Sequence, residues 1–165
     1  MFIRLGEATI ISVLNKKNLL SNLTPKVAGK EEFCTTGTCP FQAPAEFEYD
    51  PERYLYFRAR AITAEVANKN GDFFEWDELK KACSSFIGKG FYLNHESDHP
   101  SKAKGLILDA KLVEDDSAKY IETLVAVDRV VAPEVCQLIE GGIINSISMG
   151  CLAAKAKCSL CANIA

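Results

Sequence analysis

The apolar and polar positions divide the chain into short strands and two helices. Residues 8–14 (ATIISVL) read as a first strand. Residues 53–63 (RYLYFRARAIT) alternate apolar with polar and are rich in aromatics, the pattern of a half-buried strand. NKNGDFF follows as a turn, since Asn-Gly favours positive φ. Residues 75–90 (EWDELKKACSSFIGKG) place Trp76, Leu79, Cys83 and Phe86 at helical spacing, with Gly88 or Gly90 as the stop. FYLNH reads as a short strand ending at His95, and ESDHPSKAK as a polar loop. Residues 105–113 (GLILDAKLV) and 120–128 (YIETLVAVD) read as two strands joined by the turn EDDSAK, the first carrying Asp109 and Lys111 on one polar face. APEVCQLIEGG has Pro133 near a helix start and Gly141 past its end. IINSISMGC then reads as one strand, with Ser146 and Ser148 on one face opposite Ile147 and Met149.

Strands and helices mix without a regular βαβ alternation. The expected class is α+β, a small, largely antiparallel β-barrel or sheet flanked by helices. With 165 residues the chain suits one domain, residues 1–165. Residues 15–51 hold four of the six prolines and CTTGTCP, and read as an irregular cysteine-containing insert. Residues 152–165 form a tail with Cys158-x-x-Cys161.

Composition narrows the function. A formal net charge of -3 gives no basic excess for a nucleic-acid footprint. No apolar run approaches the roughly 20 residues of a membrane span, and Glu7 interrupts the apolar N-terminus, which does not read as a signal peptide. The chain stops soon after its last cysteine pair, the pattern of a trimmed or processed C-terminus. Seven cysteines, an odd number with no secretion signal, point to reduced thiols or a metal rather than a disulfide framework. Cys158-x-x-Cys161 has the spacing of half a zinc site. Cys34 and Cys39 form a looser second pair, and together the four suit a structural zinc. Cys136 and Cys151 read as buried thiols.

For catalysis the residues offer His95, one of two histidines, and Ser148. A serine hydroxyl is a weak nucleophile until a base takes its proton, and a histidine oriented by a third polar group can do so. Asp109, Glu122 and Asp128 are the acids lying between the two. The letters HESDH also fit the H-E-x-x-H metal motif, but Asn94, Ser97, Asp98 and Pro100 are poor context for the helix that motif needs.

RARAITAEVANKNGDFFEWDEL, FIGKGFYLNHES, GLILDAKLVED and APEVCQLIEGGIINSISMGC, in that order, resemble the prohead (capsid maturation) serine proteases of tailed bacteriophages. The resemblance covers residues 58–151 or so. It implies a fold related to the herpesvirus assemblin proteases. It also implies His95 as general base and Ser148 as nucleophile, matched to the Asn-His and Ser-x-Gly motifs, with Ser146 ranked second because Ser148 stands where the motif needs its glycine. Assemblins use a second histidine; none follows Ser148 here, so an acid is expected instead. Asp109 is favoured, with Asp128 and Glu122 open. The implied activity is endoproteolysis of scaffold and major capsid proteins inside the assembling prohead in the host cytoplasm, with cleavage after acidic residues and self-cleavage or a homodimer as further expectations. Catalysis would need no cofactor; nucleic acid and membrane are not expected partners. The alternatives are an inactive structural virion protein with a protease-like fold, and a metallohydrolase using His95, Glu96 and His99.

Overall fold

A computed structural model describes residues 2–4, 8–14, 23–24, 41–42, 47–94, 96–153, 155–161 and 164. Its frame is a six-stranded antiparallel sheet, curled into a half-barrel, with two short helices: an α+β fold. The centre is made by the two segments richest in β-branched and aromatic residues, β5 (Tyr54–Thr63) and β8 (Lys119–Asp128), paired from Tyr54↔Asp128 to Thr63↔Tyr120. On one side β8 pairs with β7 (Gly105–Glu114), and β7 with the short β6 (Gly90–Phe91). On the other, β5 pairs with β2 (Ala8–Leu14), and β2 with the edge strand β9 (Ser146–Ile147). Two smaller pairs stand apart. β1 (Phe2–Arg4) runs antiparallel to β10 (Gly150–Leu152), and β3 (Leu23–Thr24) parallel to β4 (Phe41–Gln42).

Register shifts at Ile10/Ser12, Arg60/Ile62 and Ile107/Asp109 mark three bulges. Each adds a residue to one strand and sharpens its twist, which is how an open sheet curls. Gly105 lets β7 close on β8: a Cβ there would collide with the Ala126 carbonyl oxygen and stand 2.9 Å from Val127 Cα.

Alternation along the strands sends side chains to opposite faces, and each face has its own core. On one, Leu55, Phe57, Val125 and Val127 pack against Val135, Cys136 and Ile139 of the helix over Pro133–Glu140. The helix over Trp76–Ala82, here α1, caps a neighbouring cluster with Trp76, Leu79 and Cys83 on Ile62, Leu112 and Ile121; the Pro133–Glu140 helix is α2. On the opposite face Tyr56, Leu108, Leu124 and Ala126 meet an aromatic group of Phe47, Tyr49 and Tyr54. Gly88, at φ +78°, ends the short 3-10 turn (Cys83–Phe86) that follows α1. Gly71, at φ +83°, closes the Asn68 turn as the Asn-Gly pair predicts.

Two expectations are corrected. FYLNH is not one strand: β6 ends at Phe91, because Asn94 takes a left-handed φ of +50° and the Glu96 amide donates to the Leu93 carbonyl, turning the chain. IINSISMGC is not one strand either. It splits into β9 and β10, which pair with different partners. The Asp109–Lys111 face is buried: Asp109 is 7% exposed and the Lys111 side chain 11%.

Candidate functional site

Ser148 lies where the chain leaves one sheet for another. Ser146 and Ile147 add to the edge of β2, opposite Thr9 and Ala8, and Gly150 begins the pair with β1. The side chains between are divided accordingly. Ile144 and Ile147 pack on the α2-side core, while Met149 and Cys151 pack on the α1-side core. Ser146 and Ser148 are exposed. The segment is thus held by its apolar residues at two separate clusters, and both serines are exposed between them.

His95 lies outside the described residues. Its neighbours are described. Leu93 and Phe91 pack on the same cluster that holds Ile144 and Ile147, so the segments carrying the two candidate groups share one apolar anchor. Asn94 is one of two non-glycine residues at positive φ among those described. Asparagine tolerates this region better than most residues, and such conformations gather where a side chain must be aimed.

The three acids have different surroundings. Asp128 Oδ1 accepts the Val130 and Val131 amides at 2.8 and 3.2 Å, and Oδ2 accepts from Arg53. Burial pushes its pKa up, but these donors outweigh burial and hold it below the usual value. Its role is to fix the turn into α2. Glu122, 1% exposed, is gripped by Arg58 through three hydrogen bonds of 2.6 to 2.9 Å and approached by Lys111 at 3.3 Å. Asp109 sits at the β7 bulge, where Oδ1 accepts the Ala110 amide at 2.9 Å. It belongs to the buried polar face of Arg58, Lys111 and Glu122, a group the alternation of GLILDAKLV announces but whose burial it hides. In strand order β8, β5 and β2 stand between β7 and β9.

A groove of about 730 Å³ opens beside β9, lined among others by Thr9, Arg60, Lys69, Phe74, Asn145 and Ser146. The Arg60 guanidinium lies 4.1 Å from the centroid of the Tyr120 ring. Neither cation stands out in the sequence, because only strand pairing sets residue 60 and residue 146 on either side of Thr9.

The described part of HESDH is not helical: residues 96–99 are loop and bend, and the helical turn Pro100–Lys102 begins after His99. His99 caps that turn, its Nδ1 accepting the Ser101 amide, and Glu96 and Asp98 pair with Lys102. The H-E-x-x-H spacing brings its residues to one metal on a helix, which this segment does not supply. Among the described residues no group of three or more His, Cys, Asp or Glu could hold a metal ion, and no helix is long and apolar enough to cross a membrane. Cys83 and Cys136 are buried, as expected for Cys136, and Cys151 is half-buried. Burial, with Asp109 nearby, pushes the Cys83 thiol up to about 11. Cys158 and Cys161 are exposed, and Cys34 and Cys39 lie outside the described residues.

No family model, curated protein or solved structure matches the chain.

Proposed function

We propose that the chain is a serine endopeptidase of the prohead-maturation kind, with an assemblin-like fold, cutting scaffold and capsid proteins in the assembling prohead. Ser148 attacks the peptide carbonyl while His95 takes its proton. The acyl-enzyme forms as His95 returns that proton to the leaving amine, and water, activated in the same way, releases the acyl group. Asp109 orients His95, with Asp128 and Glu122 as the alternatives.

The observation that carries this reading is the shared anchor: Leu93, two residues before His95, and Ile147, next to Ser148, pack on one cluster. The edge strand supports it further, because an extended peptide can lie along β9 with its side chains in the adjacent groove. Arg60 and Lys69 give that groove the charge to receive an acidic residue.

The test is co-expression with a scaffold or capsid protein of the same virus, followed by intact mass. Wild-type cleavage that resists chelator, is lost in Ser148→Ala and falls in Asp109→Asn but not Asp128→Asn supports the assignment. Cleavage that survives Ser148→Ala and dies with chelator moves the chemistry to a metal. Absence of any cleavage favours a structural virion role.

A further inference from the structure

The turn NKNGD between β5 and α1 has no part in the proposed chemistry, yet it walls the groove beside Ser146, which Asn68 and Lys69 line. Asn68 holds the turn together. Its Oδ1 accepts the Asn70 and Asp72 amides at 2.8 and 2.9 Å, its Nδ2 donates to Asp72 Oδ2 at 3.2 Å, and its backbone N–H donates to the Asp72 carbonyl. Asn70 and Gly71 form the outer corner. Both are exposed, and Gly71 sits at φ +83°. The Gly71 amide donates to the Asn68 carbonyl at 2.9 Å, an exposed turn bond of the kind that opens at little cost.

Asn70 is the one asparagine in this chain followed by glycine. The side-chain carbonyl carbon of an asparagine can close a five-membered ring with the backbone nitrogen of the next residue. A side chain on that next residue obstructs the approach, and glycine has none. The space around Gly71 is open as well: a Cβ built there would meet nothing within 4 Å. The other described asparagines, Asn68, Asn94 and Asn145, precede Lys69, His95 and Ser146, and Asn68 is held at both ends of its side-chain amide. We infer that Asn70 is a site of spontaneous deamidation that alters the wall of the groove. The Gly71 nitrogen, having lost its proton, bonds to Asn70 Cγ; the Cγ–Nδ2 bond breaks, and Nδ2 leaves as ammonia with a proton regained from water. Water then opens the cyclic imide at either carbonyl. One opening leaves aspartate. The other leaves isoaspartate, whose chain runs through Cγ and carries one more carbon in the backbone. Either product sets a new carboxylate next to Lys69, and isoaspartate also lengthens the corner that Asn68 closes. The groove thus loses part of its positive charge as the protein ages. The modification does not depend on the peptidase reading; its effect on an acidic substrate rests on it.

The test uses the full chain, fresh and after incubation at neutral and at mildly alkaline pH, beside Asn70→Gln. Peptide mapping and labelling by an isoaspartyl methyltransferase locate the products. Aspartate and isoaspartate are expected at position 70, formed faster at the higher pH and ahead of change at any other asparagine, with no product there in Asn70→Gln. An Asn70 amide that persists in the folded chain and converts only after unfolding in urea would overturn the inference, as would earlier conversion of another asparagine. Aged wild type and fresh Asn70→Asp should both show a raised KM for a substrate with an acidic residue at the cut, and aged Asn70→Gln should not. An equal KM in all of them would overturn the effect on the groove. Absence of cleavage by fresh wild type would count against the peptidase reading alone, and the peptide map would still decide the modification.

Discussion

Replacing Glu122 by alanine is expected to be among the most damaging single changes in this chain. Its side chain is 1% exposed, and two cations close on it: Arg58 at 2.6 Å with 23% of its side chain exposed, and Lys111 at 3.3 Å with 11%. Taking one partner from a buried ion pair costs about 3–5 kcal/mol, because the desolvation of the remaining charge loses its compensation. That is a large share of the roughly 5–15 kcal/mol that holds a domain folded. For a chain of this size about 1 kcal/mol moves the melting temperature by ~2–4 °C, so a fall of ~6–20 °C is expected. Thermal and urea unfolding followed by circular dichroism measure it. A companion variant separates charge from packing: Glu122→Gln keeps the shape but not the charge and should lose much of the same stability. A loss below about 1 kcal/mol for Glu122→Ala, the level of an exposed pair, would refute the buried-network reasoning.

Gly105→Ala should destabilise by about 1–3 kcal/mol by forcing β7 off β8, against the rigid Ala126 and Val127 backbone; a melting temperature equal to wild type would show that the strands give way without cost. Asp128 titrates below the usual aspartate pKa of about 3.9 in the folded chain. The stability this brings is present above that value and lost as pH falls through the lower folded one. Asp128→Asn should therefore be less stable than wild type near neutral pH, with the gap closing on acidification, and parallel acid-unfolding curves would contradict it. Arg60→Gln should raise KM for substrates with an acidic residue at the cut more than for neutral ones, while an equal change for both would remove Arg60 from the groove's selectivity.

The elements legible in the sequence are those fixed by local chemistry. Pro133 at the first turn and Val135, Cys136 and Ile139 on one face announce α2, and the apolar run at 120–128 announces β8. What stayed hidden depends on distant partners. Alternation runs through Ser146, Ile147, Ser148 and Met149 without a breaker, so nothing local says that Ile147 belongs to one core and Met149 to another. Asp109 and Lys111 alternate like a half-polar strand, and the local pattern does not show that they are buried on the face that holds Glu122. The two candidate serines were legible as an exposed pair, whereas the groove beside them forms from β2, β5 and β9 and has no contiguous signature.

The most direct test of the central proposal is labelling of the serine itself. The full chain is incubated with a fluorophosphonate at neutral pH and read by intact mass and peptide mapping, beside Ser148→Ala and Ser146→Ala. The account predicts one adduct on Ser148, unaffected by chelator, kept in Ser146→Ala and absent from Ser148→Ala. An adduct on Ser146, or one that persists in Ser148→Ala, would contradict it.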